Sequence, residues 1–363
     1  MDSSLLIRSE FWSDVTPALP GIPELAGHVL FETSGSTDAP KWIAISKEAL
    51  LISAAAVNRH LGVTEKSCWG LALPLLHVGG FGVASRAYEA SCGFRDFGGP
   101  WDAAKFREWL ALHTITHTSL VPTQVHDLVK TQLTAPTSLV AIVVGGGCLD
   151  APTGQAARDL GWPVLASYGM TEAASQIATQ GLDLLKTPYQ PGSIPLLPIW
   201  AARISAEDIL SISGSALFSG YVSGGKFIPR TTDWHTTSDR VILENKTITP
   251  LGRADTFVKI LGELVDPEAV ERELLILSEG RLLSGTFTVI AIPDERAGMA
   301  LVPVFESSVN LEIAEAALSL YQNQAPGFRR LKPLAVIEKF PRSELGKLRR
   351  SELVGIYINQ ITG

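Results

Sequence analysis

The chain reads as an α/β protein. A large N-terminal domain, residues 1–252, carries mainly parallel sheet layers, and a small α+β domain fills 253–363. Three observations predict this. First, Leu139–Val144 is an unbroken apolar run, as in a strand buried on both faces, and it ends in Gly145-Gly146-Gly147. A helical stretch near 151–160 follows, stopped by Gly161, and Pro163–Ala166 supplies the next strand. Strand, glycine loop, helix and strand at this spacing make a βαβ unit and hence a parallel sheet. Second, from about 187 to 250 the texture turns to Pro, Gly and short alternating runs, which predicts a β-rich subdomain. Third, a segment of about 110 residues, a common domain size, follows Gly252-Arg253-Ala254-Asp255.

The elements follow in order. Residues 1–27 lack a pattern, and Val29-Leu30-Phe31 reads as a strand. Ser46 is placed to cap a helix through about His60, with Gly62 as its stop. Leu71–Leu76 is expected to be a strand leading into His77-Val78-Gly79-Gly80. Asp102 caps a helix whose Phe106, Trp109 and Leu110 share a face, and Thr118–Val121 reads as a strand closed by Pro122. In the last domain Asp266-Pro267 opens a helix, as cap and first helical residue. Strands are expected at Phe287–Ile292, Leu301–Phe305 and Leu334–Glu338, with a helix near 311–323.

Composition narrows the function. With 46% hydrophobic and 18% charged residues among 363, the chain can bury a large core. A net charge of −7 argues against nucleic-acid or membrane-surface binding, so an anionic ligand has to be held by local donors. Cys68, Cys92 and Cys148 have no paired spacing and read as reduced thiols of a cytoplasmic protein. No basic segment followed by an apolar run opens the chain, and Pro, Gly or His breaks each apolar stretch before membrane-spanning length.

The richest stretch is Phe31–Lys41. It sets Thr33, Ser34, Ser36 and Thr37 around Gly35 and places Lys41 after Pro40. Hydroxyls, backbone N–H groups and one ammonium suit a polyphosphate. The loop lacks the Gly-Lys-Ser/Thr ending of the common P-loop, and by itself it is equally a polar surface turn. In a parallel sheet, ligands gather at the carboxyl ends of strands, where Gly145–Gly147 and Tyr168-Gly-Met-Thr-Glu172 both fall.

Five stretches occur in order: Thr33–Lys41, Tyr168–Glu172, Thr237-Ser-Asp-Arg240, Leu251-Gly-Arg-Ala-Asp255 with Lys259 and Gly262, and Pro341-Arg-Ser-Glu-Leu-Gly-Lys347. Their order resembles the adenylate-forming superfamily of acyl-CoA synthetases, peptide-synthetase adenylation domains and luciferases, over roughly residues 29–355. Within it, Tyr168–Thr179, with Ser175-Gln176 after the glutamate, most resembles the o-succinylbenzoate–CoA ligases of menaquinone biosynthesis. The resemblance implies an ATP-dependent reaction. A carboxylate attacks the α-phosphate, pyrophosphate leaves, and a thiol displaces AMP from the acyl-AMP. Charge builds on phosphates, so positioning and electrostatics should dominate.

The resemblance also implies roles. Thr33, Ser34, Gly35, Ser36, Thr37 and Lys41 would hold the β- and γ-phosphates, and Thr171 the α-phosphate. Glu172 would ligate Mg²⁺, and Gly145, Gly146, Gly147 and Tyr168 would belong to the nucleotide site. Asp239 would accept from the ribose hydroxyls with Arg253 nearby, and Lys347 would bridge the carboxylate and the α-phosphate. His77, Ser175 and Gln176 would face the acid; read alone, His77 is a core histidine and the Ser-Gln pair a helix surface. The small domain would be mobile, with its hinge at Asp255, taking one pose for adenylation and another for coenzyme A.

Two residues depart from the superfamily pattern: Asp38 and Ser238 stand where glycine is usual. The superfamily also has a much longer segment before the hydroxyl loop. The loss of part of a sheet-and-helix layer predicts a smaller core, an exposed apolar face or a homodimer contact. Three other readings stay open: a ligase for another aryl or aliphatic acid, a silent adenylate-binding protein, and an adenylation domain that loads a separate carrier.

Overall fold

The computed structural model describes residues 2–33, 41–342 and 348–362. These divide into two compact units. The first comprises 1–237 and 242–249, and the second 238–241 and 250–363.

The first unit is built around a six-stranded sheet in the order Gly93–Asp96, Cys68–Leu71, His117–Leu120, Ala141–Val144, Val164–Met170, Ser175–Thr179. The first five strands are parallel, and Ser175–Thr179 returns antiparallel. Ala141, Ile142, Val143 and Val144 are all buried, as the apolar run predicts. The helices Lys47–His60 and Val78–Glu89 pack on each other, as do Pro122–Thr131 and Ala151–Asp159. Caps fall where the side chains can provide them: Ser46 accepts from the Ala49 N–H at 3.1 Å, Asp102 from Lys105 at 2.9 Å, and Asp150 from Thr153 at 2.8 Å.

Two antiparallel sheets complete this part of the chain. One has the order His28–Thr33, Lys41–Ser46, Gly220–Ser223, Lys226–Pro229. The other runs Trp200–Ile204, Ile209–Gly214, His235–Glu244, Thr247–Arg253, Ile194–Pro195, and its third and fourth strands continue into the second unit. Residues 1–27, unpatterned in the sequence, bury Leu6, Trp12 and Leu25. Lys47 ties this segment down by donating to the Phe11 and Asp14 carbonyls at 2.5 and 2.7 Å.

The second unit has a hairpin, Val258–Ile260 with Glu263–Val265, and a three-stranded sheet of Phe287–Asp294, Gly298–Glu306 and Ala335–Ile337. Its helices are Pro267–Leu277, Leu311–Gln324 and Arg350–Thr362. Val270, Leu274, Phe287, Leu301, Phe305 and Tyr321 form its core.

Four local expectations need correction. The strand expected at Leu71–Leu76 is Cys68–Leu71 and ends where that run begins. Pro74 lacks an N–H for a ladder, and the His77 N–H instead closes a turn on the Pro74 carbonyl at 3.2 Å. Pro122 does not merely close a strand; it sits at the first position of the helix Pro122–Thr131. Val164–Met170 runs past Ala166 through Tyr168. Ser175 and Gln176 lie on a strand, not on a helix surface.

Candidate active site

The site is assembled where the parallel strands end. Past Leu71 the chain turns through Leu73–Leu76, and the Gln124 amide donates to the Ala72 carbonyl at 3.1 Å. Past Val144 comes the glycine turn. Gly146 has φ +76°, a conformation an L side chain resists, and Ser167 Oγ donates to the Val144 carbonyl at 2.9 Å, pinning the neighbouring strand end beside Gly145. Gly146 and Gly147 are exposed, so bare backbone is offered to a flat ligand.

The longest of these strand ends carries Tyr168-Gly169-Met170 into a short 3₁₀ turn, Thr171–Ala173. The register shifts between Tyr168 and Gly169, and a Cβ on Gly169 would run into the Ser175 carbonyl. Ala174 and Ser175 follow at φ 51° and 118°. Two consecutive non-glycine residues with positive φ store strain, as residues at functional sites often do. Thr171 and Glu172 are half-buried, and the Glu172 carbonyl accepts from the Phe218 N–H at 2.8 Å.

Glu172 and Lys41 meet at one side chain, Tyr221. Lys41 Nζ lies 3.4 Å from the centre of the Tyr221 ring. Burial first, then the nearby Glu172 carboxylate, push the Tyr221 phenol up to about 12. An ammonium, Lys41, and a carboxylate, Glu172, therefore share the neighbourhood of one phenol. Among the described residues no cluster of three or more His, Cys, Asp or Glu could cage a metal. A single carboxylate beside a polyphosphate still fits Mg²⁺, which binds through one or two carboxylates plus substrate phosphates.

A second constellation lies beside it. Arg86, in the last turn of Val78–Glu89, is 2% exposed; its guanidinium donates to Ser119 Oγ at 3.0 Å and Ser175 Oγ at 3.2 Å and lies 5.1 Å from the Trp69 ring centre. It makes no ion pair among the described residues, and burial lowers its pKa to about 9. Ser175 therefore faces a buried cation. Gln176 is 4% exposed, and its Oε1 accepts from Thr179 Oγ1 at 2.5 Å, so its side chain is engaged in the interior. His77 is half-buried and precedes the first residue of the Arg86 helix.

In the second unit Arg253 Nη1 lies 3.8 Å from Asp239 Oδ1. Ser238 falls within the strand His235–Glu244 and is not in the left-handed region, so its backbone makes no demand for glycine. Ser34, Gly35, Ser36, Thr37, Asp38 and Lys347 lie outside the described residues. Thr33 ends a strand, and Asp255 sits in the 3₁₀ turn Ala254–Thr256. The sequence reading missed Arg86, Ser119 and Tyr221. Arg86 carried a signal, being the lone cation in an otherwise apolar and small-residue stretch.

The fold is that of the AMP-binding enzymes. The AMP-binding enzyme family model matches residues 28–209, and the chain belongs to that family. Among curated relatives, the 2-succinylbenzoate–CoA ligase of Escherichia coli is 30% identical over 76% of this chain and 57% of its own length. The Listeria monocytogenes ligase of the same name is 26% identical over 88% and 68%. The chain thus spans between a half and about two thirds of the length of these relatives. A solved E. coli MenE variant with bound OSB-AMS superposes with a TM-score of 0.75 at 25% identity, covering 90% of this chain and 68% of that one. MenE from Bacillus subtilis in complex with AMP shares the fold, with a TM-score of 0.73 at 23% identity over 89% and 68%.

Proposed function

We propose that this chain activates a carboxylic acid with ATP and Mg²⁺ and passes the acyl group to coenzyme A, and that the acid is o-succinylbenzoate. The observation that carries the reading is the meeting of Lys41 and Glu172 at Tyr221, beside the Thr171 turn. Lys41 offers a cation to the outer phosphates, and Thr171 a hydroxyl to the α-phosphate. Glu172 holds Mg²⁺, which when bound neutralises charge developing on the phosphates. The Gly145–Gly147 turn receives the adenine. Asp239, with Arg253 beside it, serves the ribose, and Lys347 the transferring carboxylate.

Arg86 supports the narrower assignment. Among the described residues this buried guanidinium meets two hydroxyls and an aromatic face but no anion, and a keto-diacid brings a second carboxylate besides the one that reacts. The sequence relatives carry that substrate in their name. The small domain, 253–363, is proposed to alternate between two poses about Asp255. Three free thiols suit a cytoplasmic setting, and among the described residues no helix is long and apolar enough to cross a membrane.

The experiment is incubation with ATP, Mg²⁺, coenzyme A and a panel of acids, following AMP and acyl-CoA by mass. Turnover of benzoate or a fatty acid, with none of o-succinylbenzoate, removes the narrower assignment and leaves the class.

A further inference from the structure

The second unit holds the chain firmly on either side of residues 343–347, the stretch that ends in Lys347. Arg342 and Leu348 form an antiparallel bridge, and the Arg349 N–H donates to the Pro341 carbonyl at 2.9 Å. On the earlier flank the Arg342 guanidinium donates to the Gly285 carbonyl and lies 3.5 Å from Glu306 Oε1, which also accepts from the Phe340 N–H at 3.0 Å. On the later flank Leu348 packs against a core of Ile290, Val304 and Phe340. Arg350, the first residue of the helix Arg350–Thr362, then reaches two other elements. Its Nη1 donates to Glu271 Oε1 at 2.9 Å, and its Nη2 lies 3.3 Å from Glu271 Oε2 and 3.4 Å from Glu268 Oε1, both on the helix Pro267–Leu277. Nη1 also meets Thr288 Oγ1 at 2.5 Å and the Val289 carbonyl at 3.3 Å on the strand Phe287–Asp294. Glu271 Oε1 is itself fixed, accepting from Thr288 Oγ1 at 2.6 Å and from the Val289 N–H at 2.8 Å.

We propose that Arg350 is a positioning residue for adenylation, its fork on Glu271 fixing the chain three residues after Lys347. The inference rests on the reading that Lys347 serves the transferring carboxylate. A cation at a helix N-terminus opposes the helix dipole, so Arg350 does not serve the start of its own helix. What it does serve is the join between that start, a second helix and a strand. An arginine–carboxylate fork fixes direction as well as distance. A lysine side chain is long and turns freely, so its reach depends on where its backbone is anchored. Misplacing a reacting group by about 1 Å can cost about 100-fold in rate.

The full chain is assayed in two halves. Adenylation is read as o-succinylbenzoate-dependent exchange of labelled pyrophosphate into ATP. Acyl transfer is read from supplied o-succinylbenzoyl-AMP to coenzyme A. Thermal unfolding confirms that each variant is folded, and Lys347→Ala is the reference. Arg350→Met should lower exchange about 100-fold, as Lys347→Ala does, and leave transfer within about 3-fold of wild type. Glu271→Gln, which keeps the shape and removes the charge, should show the same split at about 10-fold. Equal loss of both halves in a folded variant overturns the proposal, because it makes the network merely structural. Unchanged exchange overturns it too, as do two variants that both unfold. Normal exchange in Lys347→Ala overturns the role given to Lys347 and this inference with it. Wild-type protein that performs neither half-reaction overturns the ligase reading as well.

Discussion

Arg86 and Ser175 meet at 3.2 Å: an arginine from the last turn of a buried helix and a serine held at φ 118° just beyond the Thr171 turn. Hydroxyls accept from a guanidinium but do not neutralise it. With its pKa near 9, Arg86 is still charged at neutral pH, so the fold tolerates a desolvated cation that a second substrate carboxylate would pair.

Arg86→Met should therefore separate stability from function. Removing an uncompensated buried charge and keeping the volume is expected to leave stability unchanged or raise it by up to about 2 kcal/mol. KM for the diacid should rise at least about 10-fold, since a charge-assisted bond contributes about 1.5–3 kcal/mol. Denaturant unfolding and steady-state kinetics with o-succinylbenzoate read the two arms. A destabilised variant with normal KM would make Arg86 a purely structural residue.

Gly169 has no room for a side chain, because a Cβ there would overlap the Ser175 carbonyl across the register shift. Gly169→Ala should cost about 2 kcal/mol or more or reshape the 170–175 turn, and in either case depress adenylation. Thermal melts with acid-dependent pyrophosphate exchange check this; wild-type values in both would contradict the described strand pairing.

His117 gives a pH dependence. It is 2% exposed, and burial lowers its pKa to about 4, with Thr116 Oγ1 2.8 Å from Nδ1. The unfolded chain takes up a proton near the ordinary imidazole value of 6.5 while the folded chain stays neutral, so the stability is complete above pH 6.5 and drains away as pH falls toward 4. The loss amounts to about 3 kcal/mol. His117→Gln should flatten the stability profile over that window in urea titrations. An unchanged slope would show that His117 does not titrate with folding.

Asp255→Pro addresses the proposed hinge. A fixed φ at that position should spare adenylation, read by pyrophosphate exchange, and block acyl transfer to coenzyme A, read by thioester formation. Equal loss of both half-reactions would argue against alternation about this residue.

Much of this was legible in the sequence, because the signals were local. The apolar run into Gly145–Gly147 declared a buried parallel strand, and Ser46, Asp102 and Asp266 cap helices through their own side chains. What escaped depends on distant partners. Arg86 meets Ser119 and Ser175, separated from it by 33 and 89 positions, and Tyr221 reaches Lys41 through a sheet register that no local pattern encodes. Ser175-Gln176 was readable as a helix surface because a bulge and two positive-φ residues turn the chain back into a strand there, and neither Ala174 nor Ser175 advertises that backbone. The Leu71–Leu76 misreading has the same origin: Pro74 ended a run whose hydropathy alone continued.

The proposed function requires the candidate nucleotide-site residues to make an inert acid reactive. Acid-dependent exchange of labelled pyrophosphate into ATP measures this most directly, because it reports acyl-AMP formation without any later step. Exchange should require both Mg²⁺ and o-succinylbenzoate and fall about 100-fold or more in Glu172→Gln. Exchange that is absent with every acid tested, or that survives intact in Glu172→Gln, would contradict it.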